Sequence, residues 1–161
     1  MEAGHPALLA CDDGLARLLQ EQPGRLEEAE ALLRRVLEGR EAKLGKLHPD
    51  TLMSIHMLAA LLDTQGQLGE AERLYRRAVL GREEVLGSEH RDTLITVSNL
   101  ACLLESTGKK RQAELLCRFT VKAFKAKMGD GHPDTLKSMC NLASALEANG
   151  KLSEAESVYS E

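Results

Sequence analysis

His48-Pro49-Asp50-Thr51-Leu52 returns as His90-Arg91-Asp92-Thr93-Leu94 and again as His132-Pro133-Asp134-Thr135-Leu136, a spacing of 42 residues from 48 to 90 and from 90 to 132. Self-similarity at a fixed period marks structural units that stack side by side. The register persists through the rest of each unit. Gly24, Gly66, Gly108 and Gly150 recur at it, as do Ala29, Ala71, Ala113 and Ala155, each followed by Glu. A weaker first copy opens at His5-Pro6 and sets Leu15-Ala16 against Leu58-Ala59 at an offset of 43, because Gln20-Glu21-Gln22-Pro23 carries one extra residue before Gly24. The chain therefore reads as a single array, 1–161, with units at about 5–47, 48–89, 90–131 and 132–161. The last is short, since Tyr159-Ser160-Glu161 aligns with Tyr75-Arg76-Arg77. Stacked arrays need polar ends, so this reading expects either a fragment of a longer array or self-association through that end.

Each unit contains two helical periodicities. Leu52, Ile55, Leu58, Ala59 and Leu62 share one helical face, as do Leu94, Val97, Leu100, Ala101 and Leu104. Pro49 and Pro133 suit a first helical turn, where an N–H would have no partner, and Asp50 and Asp134 complement the positive end of the helix dipole. This helix, helix A, is predicted to end near Gly66. A second amphipathic run with Leu68, Ala71, Leu74, Tyr75, Ala78 and Val79 continues as helix B to about Gly87. One such pair cannot bury both apolar faces alone, so neighbouring pairs must stack. Ala59, Ala101 and Ala143 on helix A, and Ala71, Ala113 and Ala155 on helix B, permit close backbone approach. Gly39 and Gly81 inside helix B, each costing about 1 kcal/mol relative to Ala, point to tight crossings. The fold class is all-α, built from stacked antiparallel helix pairs.

Composition removes several function classes. Lys and Arg total 21 against 25 Asp and Glu, a formal charge of −4, which gives no electrostatic reason to expect nucleic acid. Aromatics are 2% and Trp is absent, so base-stacking platforms are missing. No apolar run approaches a membrane span, and the opening Met-Glu-Ala-Gly-His lacks the regions of a signal peptide, so a cytoplasmic location without membrane insertion is expected. Cys11, Cys102, Cys117 and Cys140 show no metal-binding spacing and read as free thiols, mostly small apolar packing residues.

The paired periodicity resembles the tetratricopeptide repeat family, whose usual period is 34. Leu100-Ala101, Ala113 and their copies stand at its small and large packing positions. The 42-residue period, Asn99 and Asn141 in Asn-Leu-Ala segments, the Glu-Ala-Glu segments, the Gly87 stop and the His-Pro-Asp-Thr starts resemble more narrowly the kinesin light chain type of this repeat. The resemblance implies a right-handed α-solenoid, a superhelix whose concave groove is lined by helices A and receives a segment of a partner protein. It names no partner. The chain lacks the heptad coiled-coil segment through which kinesin light chains join their heavy chains, so a motor subunit is not implied.

If helix A packs through Leu52, Ile55, Leu58 and Leu62, its neighbouring face carries Met53, His56, Met57 and Ala60. One period on stand Ile95, Ser98, Asn99 and Cys102, then Lys137, Cys140, Asn141 and Ser144. This face is expected to line the peptide-binding groove, becoming more polar toward the C-terminus. Asn99 and Asn141 match family positions where an amide donates to and accepts from a partner's backbone. Lys137 offers a charge for an acidic group, against the plainer reading of a solvated lysine. Met53 and Met57 offer an adaptable apolar patch, against the commoner reading of inter-repeat core. Asp63, Glu105 and Glu147 recur as a rim or as solvated helix ends, and Arg118, Lys122, Lys125 and Lys127 form a basic stripe on helix B, read mainly as a solvated outer face.

No catalytic site or cofactor is expected. His5, His48, His90 and His132 occupy one recurrent position at helix starts, which is architectural, and no phosphate loop or nucleophile motif occurs. The function expected is a protein–protein interaction module or scaffold. The alternatives are a structural spacer in a larger protein or, less favoured, a polyanion-binding surface.

Overall fold

The computed structural model describes residues 24–160 together with Gly14, Leu15 and Leu18, so the expectations placed on His5-Pro6, Cys11 and Gln20-Glu21-Gln22-Pro23 lie outside the described residues. The described part is helical throughout, without a strand. It falls into two compact units, Met1–Val85 and Leu86–Glu161. The first contains α1 (Leu26–Leu44), α2 (Pro49–Thr64) and α3 (Leu68–Leu86). The second contains α4 (Arg91–Ser106), α5 (Lys110–Met128), α6 (Pro133–Ala148) and α7 (Leu152–Ser160). In repeat terms α2, α4 and α6 are helices A, whereas α1, α3, α5 and α7 are helices B. A helix A of 16 residues, a three-residue turn, a helix B of 19 residues and a four-residue loop fill the second and third periods.

The recurring pentapeptide makes a joint. His48, His90 and His132 are the N-caps of α2, α4 and α6, and each imidazole Nδ1 accepts the backbone N–H of Asp50, Asp92 or Asp134 at 3.1–3.2 Å. That bond satisfies one of the orphan donors of the first turn, and the acidic residue there complements the dipole. Thr51, Thr93 and Thr135 then donate through Oγ1 to the carbonyls of Gly45, Gly87 and Gly129 at 2.8–2.9 Å, closing the short loop that leads into each helix A. The A-to-B turn closes differently. Gly66 adopts φ 78°, and Gln67 donates its N–H to the Leu62 carbonyl at 2.8 Å, a Schellman closure that an L side chain at Gly66 would strain.

The apolar stripes read from the sequence are the core. In the first unit Leu33, Val36, Leu52, Ile55, Leu58, Ala59, Leu62 and Tyr75 are essentially sealed from solvent. In the second, Ala101, Cys117, Leu142, Ala143, Leu146 and Ala155 form one cluster, and Leu94, Ala123 and Phe124 another. Sealing a Leu in this way is worth roughly 1.5–3 kcal/mol. Gly81 explains itself: a Cβ there would collide with Cδ2 of Leu52, so α3 lies close enough to α2 that any side chain would force Leu52 to move. One expectation is corrected. Cys117 packs in the core, but Cys102 and Cys140 are exposed because they stand beside the packing stripe of helix A and not on it. Met53 is 39% exposed, which sets aside the plainer reading of it as inter-repeat core.

Candidate functional site

In the second unit α4 and α6 lie side by side with α5 packed against both. Their shared face carries the residues expected from the sequence. Ile95, Asn99, Asn141 and Ser144 are half-buried, whereas Cys102, Lys137 and Cys140 are exposed. Ser98 departs from the expectation of an open face: it is buried at 7% exposure. Its depth has a geometric cause. Ile95, Ser98, Asn99, Phe124, Asp134, Lys137 and Ser138 line a small cleft of about 80 Å³, and Ser98 sits in its wall. Cys140, Asn141 and Ser144 continue the face along α6, one and two turns beyond Lys137. Ser144 donates its hydroxyl to Glu105 Oε1 at 2.8 Å, a cross-link from α6 to α4 that engages one of the acids expected to form a rim.

Among the described residues, no hydrogen bond is made by the side chains of Ser98, Asn99 or Asn141. A half-buried amide without a partner retains its full capacity to donate and accept. Charge in the cleft is divided. Asp134 accepts from Arg91 Nε at 2.5 Å, and that guanidinium holds its carboxyl below the usual carboxylate range. Lys137 contributes an exposed ammonium without an ion-pair partner among the described residues.

The first unit presents a different face. Met53 and Met57 flank His56 on α2, whose ring meets Tyr75 edge-on at 5.7 Å and 68°. Arg82, only 4% exposed, directs Nη2 at the Met53 sulfur, 3.7 Å away. The patch is thus a thioether and imidazole surface backed by a buried cation.

Other polar groups are already engaged. Arg118 pairs with Glu114 and Glu154, Lys125 with Asp130 and Lys127 with Glu89, so most of the basic stripe is neutralised locally. Asp63 is partly desolvated, which raises its carboxyl above the usual value. Burial pushes the Cys117 thiol up to about 12, so it is a packing group and not a nucleophile. Among the described residues no cluster of His, Cys, Asp or Glu has the arrangement to hold a metal, and no helix is long and apolar enough to cross a membrane.

Sequence reasoning missed one register. Arg40, Arg82 and Phe124 are spaced at the 42-residue period on successive helices B. Arg40 is buried at 9% exposure and donates through Nη1 to the Asp50 carbonyl at 3.2 Å and the Ser54 hydroxyl at 2.5 Å. Phe124 occupies the corresponding place beside the cleft. The signal was available in the spacing, but charged residues within helix B read as solvated.

The family profile described as tetratricopeptide repeat matches residues 7–79 and 65–118. No curated protein matches the chain. Two crystal structures of a Podosopora anserina protein, described by its kinesin light chain nearly identical TPR-like repeats, are similar over 99% of this chain and 75% of theirs. Their identities are 31% and 32%, with TM-scores of 0.87 and 0.85. BtubC (BKLC) from P. vanneervenii shares the fold at TM-score 0.85 and 19% identity, over 94% of this chain and 60% of its own.

Proposed function

The chain belongs to the tetratricopeptide repeat family, and on that premise we propose that it binds a segment of a partner protein along the helix-A face of the second unit. Proteins of this family are generally interaction scaffolds. The observation that carries the finer reading is the repeated pair Asn99 and Asn141, half-buried amides at one register without internal partners, beside a cleft that is already open. Two amides one period apart can hold the backbone of an extended guest while neighbouring positions select its side chains, which is how sequence-tolerant peptide recognition works. Lys137, Cys140 and Ser144 on α6 and Ile95, Ser98 and Cys102 on α4 supply those neighbours. On the first unit Met53, His56 and Met57 form a separate contact patch, its thioethers able to repack around an apolar guest side chain.

The test is a peptide-display selection against the whole chain, repeated with Asn99→Ala/Asn141→Ala. The reading expects ligands whose capture weakens about tenfold or more in the double variant, as losing two half-buried hydrogen-bonding groups implies, while helicity is unchanged. Ligands indifferent to both amides would remove it.

A further inference from the structure

We propose that the cleft of the second unit receives the guanidinium of an arginine supplied by the partner. This deepens the peptide-docking reading and rests on it. The inference comes from asking what the same place holds elsewhere in the molecule. In the first unit the chain fills it from within: Arg40 places its guanidinium on the Asp50 carbonyl and the Ser54 hydroxyl, at 3.2 and 2.5 Å. Arg82, one period later, sends its guanidinium against Met53, the residue in register with Ile95 of the cleft wall. At the next period the arginine is replaced by Phe124, and about 80 Å³ stands open.

The acceptors have stayed. Asp134 and Ser138, in register with Asp50 and Ser54, both line the cleft. The Ser138 hydroxyl has turned to donate to the Thr135 carbonyl at 2.7 Å, whereas Ser54 donates to Asp50. Its oxygen keeps a lone pair for a guest N–H. The free oxygens of Ser98 and Asn99 add acceptors that the first unit does not show, and Phe124, only 2% exposed, contributes an apolar wall from within the core. Lys137 and the Arg91 guanidinium oppose a cationic guest. Arg91 is committed to the Asp134 carboxylate, and Lys137 is exposed, so its repulsion acts through water and is screened by salt.

The experiment titrates the 161-residue chain, labelled with 15N, with N-acetyl-arginine amide, and in parallel with the lysine and glutamate analogues. Saturable shifts of the Asn99 side-chain amide and of the Ser98 and Ser138 backbone amides are expected with the arginine probe, and shifts about fivefold smaller with lysine, which lacks the planar fork. Phe124→Arg is expected to abolish the response, because the chain then supplies its own guanidinium as Arg40 does. Should that variant misfold, Ser98→Ala/Asn99→Ala serves instead and is expected to weaken it. Lys137→Met, which restores the residue type of Met53, is expected to tighten the arginine probe. Unmoved resonances, a glutamate response equal to the arginine response, or weaker binding in Lys137→Met would each overturn the proposal. The peptide-display result is independent of these titrations, so failure here leaves backbone docking at Asn99 and Asn141 standing.

Discussion

Arg40 and Phe124 stand at the same register in the two units, and the contrast between them separates what makes this fold from what distinguishes its parts. Around Arg40 the helix-B side chain crosses to the next helix A and closes the space with two hydrogen bonds. Around Phe124 an apolar ring joins Leu94 and Ala123 in the core and leaves a small open cleft beside it. The backbone joints on either side are alike: the same His cap, the same Thr-to-Gly bond and the same positive-φ glycine. Architecture therefore lives in the positions that repeat, and chemical individuality in the positions that break the repeat.

The largest effect should ignore this contrast. Leu62→Ala and Leu104→Ala, equivalent core positions of the two units, are each expected to cost about 2–5 kcal/mol in urea unfolding. A large cost in one unit and none in the other would break the claim that the units are built alike. Next, Arg40→Phe should cost about 1.5–3 kcal/mol, because the bonds it removes are charge-assisted and buried. Phe124→Arg should stay within about 1 kcal/mol if the cleft accepts the guanidinium, since its hydrogen bonds offset the lost apolar contact. An equal loss from both exchanges would erase the comparison. Smaller still, Thr93→Val should cost about 1 kcal/mol through the bond to Gly87, as should Thr51→Val through Gly45. His132→Ala should cost about 1 kcal/mol and His132→Asn much less, because asparagine also caps.

The smallest effect concerns acid. Lys151 first, and Arg118 second, hold the Glu114 carboxyl below its usual value in the second unit, as Arg34 does for Glu70 in the first. A carboxyl lowered by folding contributes stability that is present above its unfolded pKa and is lost as pH falls through the lowered folded value. Urea midpoints should therefore drop in both units below the ordinary carboxylate range, and Glu114→Gln should flatten the drop for the second unit. An unchanged acid limb in Glu114→Gln would show that these partly exposed pairs add little.

Legibility in the sequence follows the same division. The period, both helices of each described pair, the buried stripes and the Gly81 crossing were readable because backbone geometry repeats and forces side chains to repeat with it. The histidines read as markers of helix starts, but their capping role needed coordinates, since a ring nitrogen accepting from the peptide two residues on leaves no distinct spacing. Ser98 lies deeper than its helical position implies, because that position gives direction around an axis and not depth, and depth is set by what the neighbouring helix brings. Arg40 and Arg82 escaped because a charged residue in an amphipathic helix is ordinarily solvated, whereas their long stems let the guanidinium reach carbonyls on another helix.

Amide chemical-shift mapping of a selected peptide on the 15N-labelled chain examines the docking surface most directly. The account predicts that the perturbed resonances include Asn99 and Asn141 with their neighbours Ser98, Lys137 and Ser144 on α4 and α6. Perturbations confined to the outward faces of α3 and α5, with Asn99 and Asn141 unmoved, would contradict it.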